Sequence, residues 1–331
     1  VAEGAPLLRE YLNLLMAAPT RLVCDIGGTN ARFALLDDDR LPIEPVTYRC
    51  DEFASLVDAI AAFLQASGSD KQLQSAAIAV ATPVVGDQIK LTNNSWSFSI
   101  DSVKASLGLD TLHVVNDFTA LALSVPHLRE DEREQVGSGI PQDRHSVAVI
   151  GPGTGLGVSG LVPCGEHWSA LQGEGGHVTL TGSTQRELAV QAVLASRWSH
   201  VSAERFLSGP GLVNIATALR EIDGLESKHY APEDITRLGI SGEDPVCAET
   251  LGHFCRLLGA CAGNLVLSLG AEGGCYIGGG IVPRLGAFFG ESDFRRAFEA
   301  KGRMQHYLEN IPTYIIRSPY PALLGAAQML D

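Results

Sequence analysis

The chain has no C-x-x-C pair, no run of basic residues and no apolar run of membrane-spanning length. It also has no G-x-x-x-x-G-K-[ST]. Each absence excludes something. The seven cysteines are Cys24, Cys50, Cys164, Cys247, Cys255, Cys261 and Cys275, and their spacing does not suit a structural zinc site. Several sit in apolar segments such as "FCRLLGACAGNLVL", which fits buried, reduced thiols of a cytoplasmic protein. Asp and Glu number 38 against 24 Lys and Arg, a formal charge of -14. Such a surface repels nucleic acid and anionic lipid, so neither nucleic acid nor membrane is an expected partner. Any phosphate must therefore be held by local groups. Without the P-loop signature, those groups are not a Walker motif.

What is present is the composition of a globular protein. The 331 residues are 45% hydrophobic and 19% charged, a length that suits two domains. Residues 1–20 read as an N-terminal extension. Leu14–Ala18 gives them some likeness to a signal peptide, but a basic start is missing and Glu3, Arg9 and Glu10 interrupt them. Leu8, Leu12 and Leu15 at helical spacing fit a short amphipathic piece or a frayed end.

Strands and helices alternate, which gives an α/β class. Strands are expected at Leu22–Cys24, Arg32–Leu36, Ala76–Val80, Thr111–Val115 and Ser146–Ile150, in "IKLTNNSWSFS", in "CYIGGG" and in "PTYIIRS". Helices are expected at Ser55–Ala66, Phe118–Val125, Gln185–Trp198, Leu212–Ile222 and Val246–Leu269, after "GGG", and in the closing "PALLGAAQML". The charged segment Pro126–Arg144 reads as irregular and as a domain boundary. A strand, a glycine turn and a strand occur near Asp25 and again near Gly151, which hints at internal duplication.

The glycine turns carry the first chemical argument. "GLGVSG" at Gly155–Gly160 matches G-x-G-x-x-G, but that motif must open a helix. Here Pro163 follows with no helical pattern, so the match is read as chance within a hairpin. The alternative is a phosphate cradle built on hairpins, where glycines leave backbone N–H groups open to a ligand. Asp25, beside Gly27, Gly28 and Thr29, would repel a phosphate unless a cation lay between them. Mg²⁺ on the phosphate oxygens, held by Asp25 partly through water, removes the contradiction. For one hairpin, a turn that needs glycine explains as much. Two such hairpins plus "IGGGIVPR" favour the cradle.

Polar residues gather where strands end. Asn116-Asp117 closes a buried strand and opens a helix, and ligands of α/β sheets collect at the carboxyl ends of strands. Helix capping explains the pair equally well. The helix dipole is expected to keep Asp117 ionised, able to take a proton from an alcohol. "GEGGH" places Glu174 and His177 three apart in a glycine-rich loop, with both side chains expected to reach into a cleft. Glu204 in "HVSAERFLSGPG" and Asn93 and Asn94 in "LTNNSWSFS" are further candidates. A solvated helix residue and plain turn chemistry are their bland readings.

Taken together, "DIGGTNARFAL", "LTNNSWSFS", "VVNDFTALAL", "GPGTGLGV", "GEGGHV", "HVSAERFLSGPGLVN" and "GGGIVPR" resemble the bacterial ATP-dependent glucokinase family, within the sugar kinase/Hsp70/actin superfamily. The resemblance runs from about Arg21 to the end. It implies a two-domain actin-like ATPase (ribonuclease H-like) α/β fold with a cleft that closes on sugar. The small domain would be residues 21–127 plus 317–331, and the large domain residues 128–316. It implies that Asn93, Asn116, Asp117, Glu174, His177 and Glu204 hold glucose, with Asp117 the catalytic base. Asp25, Gly27, Gly28, Thr29 and Asn30 would form a first ATP-phosphate loop, and Gly153, Thr154 and Gly155 a second. Gly279 and Gly280 would border the nucleotide. Members are commonly cytoplasmic homodimers that use ATP and Mg²⁺.

The cysteine-rich zinc motif of the related repressor/open-reading-frame/kinase family is missing, and so is the helix-turn-helix of its repressors. A kinase is therefore expected rather than a sugar-sensing regulator. Asp117 and the two phosphate loops point the same way. A dehydrogenase using "GLGVSG" is the rival from another enzyme class. A fructokinase or a polyphosphate-using glucokinase is the nearer alternative.

Overall fold

The protein is described by a computed structural model that covers residues 20–68, 73–91 and 94–330. The chain divides into two units, Val1–Ala120 with Tyr320–Asp331, and Leu121–Pro319. Of the expected N-terminal extension, all but Thr20 lies outside the described residues.

The first unit is built on strands β1 (Thr20–Ile26), β2 (Asn30–Leu36), β3 (Pro42–Arg49), β4 (Leu73–Val80) and β7 (Thr111–Asn116). They form one sheet in the order β3-β2-β1-β4-β7. β1 and β2 are an antiparallel hairpin, while β1, β4 and β7 run parallel. Two short strands, β5 (Gln88–Lys90) and β6 (Ser97–Ser99), make a separate ribbon. Side chains alternate between faces along each strand. Leu22, Cys24 and Ile26 of β1 accordingly join the core on one face, with Phe33 of β2 and with Ile60 and Phe63 of α1 (Leu56–Ala66). Val23 points the other way and packs with Ala34, Ala77, Leu323 and Ala326, the last two from the C-terminal helix Pro321–Ala327.

Ser55, expected as the first residue of α1, is instead its cap: its hydroxyl accepts from the Asp58 N–H at 3.2 Å. Helix α2 (Ile100–Leu107) is capped the same way by Ser99 and ends at Gly108, φ 65°. Helix α3 (Asp117–Ser124) follows β7 directly, and the division between the units falls inside it.

The second unit holds a six-stranded sheet. Its strands are β8 (Arg133–Val136), β9 (Val147–Pro152), β10 (Leu156–Cys164), β11 (His167–Leu171), β12 (Cys275–Ile277) and β13 (Thr313–Ile316), in the order β11-β10-β9-β12-β13-β8. Helices α4 (Gln185–Arg197), α5 (Gly209–Ile222), α6 (Pro232–Ser241) and α7 (Pro245–Leu269) pack into one core with β9 and β12 through Leu194, Leu212, Ile215, Phe254 and Leu258. The hint of duplication is borne out at the level of topology. β3-β2-β1-β4-β7 and β11-β10-β9-β12-β13 are the same pattern, an antiparallel meander followed by two parallel strands.

Several expectations need correction. Pro126–Arg144 is not wholly irregular, since β8 pairs antiparallel with β13 from Arg133 to Val136. Its "REQV" is polar because it is an edge strand with one partner. β3, β11, α2 and α6 lie outside the expected elements. In β3, Pro42 and Pro45 mask a strand that tolerates them at a sheet edge. Helix α5 starts at Gly209 rather than Leu212, because Ser208 caps it by accepting from the Gly211 N–H at 3.0 Å. All seven cysteines are free, and six are buried as expected, whereas Cys164 is exposed at the end of β10.

Candidate active site

In the first unit, the site residues sit at the carboxyl ends of the three parallel strands. The register aligns Asp25 with Ala79 and Val115, and Ile26 with Val80 and Asn116, so Asp117 is the next residue beyond that row. The glycine turn is closed by the Gly27 N–H donating to the Asn30 carbonyl at 2.9 Å. Gly28 and Thr29 form its tip, and the Thr29 carbonyl accepts from the Cys50 N–H at 2.9 Å. Asp25 and Arg32 are equidistant from that turn and are therefore cross-strand partners. Arg32 Nη1 donates to Asp25 Oδ2 at 2.7 Å. Arg32 was not among the residues picked out from the sequence, although its spacing from the turn carried the signal.

Burial raises the Asp25 carboxyl above its ordinary range, and the Arg32 charge and hydrogen bond work against that rise. Asp117 is moved further. Burial first, and then the negative charge of Asp25, raise its carboxyl to about 7. The Phe118 N–H, which donates to Asp117 Oδ1 at 2.9 Å, only partly opposes this. The helix terminus thus does not hold the Asp117 carboxyl in its ordinary range: desolvation and a like charge outweigh it.

Asn116 does the capping. Its Oδ1 accepts from the Phe118 N–H at 2.9 Å and the Thr119 N–H at 3.4 Å, while Nδ2 donates to the Thr82 carbonyl at 3.4 Å. The Asn116 side chain also hydrogen-bonds the Asp117 carboxyl, which works against the rise in its pKa. Asn94 turns out to be turn chemistry: its Oδ1 accepts from the Trp96 N–H at 2.9 Å, and its Nδ2 donates to the Gly27 carbonyl at 3.4 Å. Asn93 lies outside the described residues.

The second unit holds the second glycine loop, Gly153, Thr154 and Gly155, between β9 and β10. The loop is fastened at both ends of its backbone. The Gly153 N–H donates to the Gly155 carbonyl at 2.8 Å, and the Gly153 carbonyl accepts from the Gly209 N–H, at the start of α5, at 2.8 Å. β10 continues as a strand through Pro163, so "GLGVSG" opens no helix, as expected.

After β12 comes Gly278-Gly279-Gly280, where the Gly278 N–H donates to the Ile150 carbonyl at 2.9 Å. Gly279 has φ 76°, and a Cβ there would lie 2.4 Å from the Pro152 carbonyl oxygen. Only glycine lets that turn lie against the end of β9.

Glu204 sits in a single helical turn, Ala203–Arg205, rather than on a solvated helix. Its Oε2 accepts from the Leu156 N–H at 2.9 Å, immediately after the glycine loop. Glu174 precedes the helical turn Gly175–His177 and His177 ends it, with Glu174 Oε2 and His177 Nε2 3.8 Å apart. Their side chains are 54% and 58% exposed, so both are open to a ligand from solvent. The turn lies close on β10: a Cβ on Gly176 would meet the Leu156 carbonyl oxygen at 2.0 Å.

A metal has a narrow place here. Among the described residues, no group of three His, Cys, Asp or Glu side chains could enclose one. Asp25 does fit a Mg²⁺ that arrives on a nucleotide, because Oδ2 is taken by Arg32 and Oδ1 accepts no hydrogen bond among the described residues. Mg²⁺ characteristically takes one or two carboxylates together with phosphate oxygens and water. None of the helices among the described residues is long and apolar enough to cross a membrane.

Comparison with known proteins bears on the family and the fold. A solved glucokinase from an Antarctic psychrotroph superposes with a TM-score of 0.86 at 36% identity, over 95% of this chain and 99% of that one. A ROK family glucokinase from Streptomyces griseus, solved with glucose and AMPPNP, is 19% identical with a TM-score of 0.62, over 94% of this chain and 98% of that one. That second likeness speaks for the fold alone, the α/β actin-like ATPase fold of the sugar kinases. The curated glucokinase of Aromatoleum aromaticum is 52% identical over 94% of each chain. The Glucokinase family model matches residues 22–331, and the chain belongs to the glucokinase family.

Proposed function

We propose that this chain transfers the γ-phosphate of ATP to the 6-hydroxyl of glucose, giving glucose 6-phosphate and ADP, as the first step of glycolysis. Family membership makes it an ATP-dependent hexose kinase. The observation that carries the residue-level reading is Asp117: a carboxyl raised to about 7, at the carboxyl end of β7. A general base works best when its pKa lies near the operating pH.

In this reading the sugar's 6-hydroxyl attacks the γ-phosphorus in line. The new O–P bond forms as the bond to the ADP oxygen breaks, and the hydroxyl proton passes to Asp117. Asn93, Asn116, Glu174, His177 and Glu204 hold the remaining hydroxyls. Asp25, Gly27, Gly28, Thr29 and Asn30 form the first phosphate loop, and Gly153, Thr154 and Gly155 the second; the Gly27 and Gly153 N–H groups close the turns, and the phosphates take donors that the turns leave open. Gly279 and Gly280 border the nucleotide. Asp25 would hold the nucleotide's Mg²⁺ through water, and the ion when bound would neutralise phosphate charge. General-base help of this kind is worth roughly 10²–10⁴-fold, with the rest from positioning and electrostatics.

The first unit corresponds in this reading to the small domain and the second to the large one. The protein works in the cytoplasm as a homodimer, and no nucleic acid or membrane takes part. A coupled assay tests the substrate assignment: glucose, mannose, fructose and N-acetylglucosamine as acceptors, with ATP and polyphosphate as donors. ATP with glucose is expected to give the highest kcat/KM. Preference for fructose or for polyphosphate would replace the reading with one of its nearer rivals.

A further inference from the structure

One carboxylate reaches two parts of the second unit. Glu204 Oε2 accepts from the backbone N–H of Leu156, the residue that follows Gly153-Thr154-Gly155. Its Oε1 accepts no hydrogen bond among the described residues. The contact is close: a Cβ on Gly155 would lie 2.5 Å from Glu204 Oε2. The same short segment returns to the loop a second time. Ser208 Oγ donates to the Glu204 carbonyl at 2.8 Å and caps α5, whose first N–H, that of Gly209, donates to the Gly153 carbonyl. The loop is thus held at its start by Gly209 and just past its end by Glu204.

We propose that Glu204 is a coupling residue, which binds a sugar hydroxyl through Oε1 and fixes the second phosphate loop through Oε2. The inference rests on the reading of Glu204 as a glucose ligand and of Gly153–Gly155 as a phosphate loop. A hydroxyl donated to Oε1 removes the carboxylate's remaining rotational freedom. The Leu156 N–H, and with it the loop, is then ordered before the nucleotide arrives. A second ligand that meets an already ordered loop loses less conformational entropy, so it binds more tightly. Linkage makes the effect reciprocal: glucose tightens the nucleotide by the factor by which the nucleotide tightens glucose.

The test uses the full chain, glucose, and AMPPNP with Mg²⁺ as the unreactive nucleotide, with each Kd measured by calorimetry alone and with the other ligand saturating. In the unsubstituted protein, each ligand should tighten the other by at least ~5-fold, the lower end of ordinary coupling. Gly155→Ala leaves the carboxylate in place but pushes it off the Leu156 N–H, a small adjustment because the colliding atom ends a flexible side chain. There the coupling factor should fall to about 1. An unchanged factor in Gly155→Ala, whatever happens to the separate affinities, overturns the inference and leaves the sugar reading standing. Glu204→Ala with an unchanged glucose Kd overturns the sugar reading itself.

A measurement without any variant guards against a misfolded one. Glucose alone should slow hydrogen exchange at the Leu156 amide by at least ~5-fold. Unchanged exchange there also overturns the inference.

Discussion

Arg32 Nη1 stands 2.7 Å from Asp25 Oδ2, across the hairpin whose turn is the first glycine loop. The pair is set by register, since each residue is the same distance from the turn. It matters because Asp25 is only 16% exposed and burial works to neutralise it.

Removing that partner should show in the metal–nucleotide terms. In Arg32→Ala, Asp25 loses the interaction that keeps its carboxyl down, so its ionised form becomes scarcer. A hydrogen bond to a charged group is worth ~1.5–3 kcal/mol, so the KM for Mg·ATP should rise about 10- to 100-fold. The glucose Kd should move by less than about threefold, within the scatter of a distant substitution. Initial rates over a Mg·ATP series, together with glucose titrations, check both halves.

Activity should depend on pH in one direction. Asp117 must be ionised to accept a proton, and its carboxyl lies at about 7. The kcat/KM for glucose should therefore fall tenfold per pH unit below about 7 and level off above it. Asp117→Glu should move that limb, while substitutions remote from Asp25 and Asp117 should leave it in place. A flat profile from about pH 6 to about pH 8 would contradict the assignment.

Stability should run the opposite way. The folded chain holds the Asp117 proton more tightly than an unfolded chain, whose Asp has an ordinary value of 3.8. Between about pH 4 and about pH 7 the folded state binds more protons, so this residue's contribution to stability falls as pH rises. The displacement to about 7 corresponds to at most ~4 kcal/mol. Asp117→Asn should accordingly raise Tm at about pH 8 and change it little at about pH 4. Thermal melts of both proteins at the two values test the sign.

Gly279→Ala should damage the second unit through its backbone. The residue would be held at φ 76° with its Cβ on the Pro152 carbonyl. The conformation alone costs ~1–3 kcal/mol, and the collision adds to it. Denaturant unfolding should show at least that loss, accompanied by a raised KM for ATP.

Much of this was legible from sequence, and the gaps have physical reasons. Val246–Leu269 could be read as a helix because its apolar residues recur at helical spacing, and the observed helix differs only by Pro245, set behind the Asp244 cap. β1 and β2 could be read because both flank a glycine turn with apolar runs. β3 and β8 were hidden because an edge strand needs neither a continuous apolar run nor freedom from proline.

Residue types in the candidate site could be named, but their surroundings could not. Asn116 and Asp117 look interchangeable as helix caps in the sequence; the structure gives the capping to Asn116 and a raised carboxyl to Asp117. The charge of Asp25 acts on Asp117 across two intervening strand pairings, which no local pattern records. Glu204 likewise reads as an ordinary polar residue until the fold brings it to Leu156, 48 positions away.

The most direct measurement compares kcat for ATP-dependent glucose phosphorylation in the unsubstituted protein and in Asp117→Asn, with glucose affinity measured alongside. The account predicts that kcat falls roughly 10²–10⁴-fold while the glucose Kd stays within about threefold. An unchanged kcat in Asp117→Asn would contradict it and remove Asp117 from the role of base.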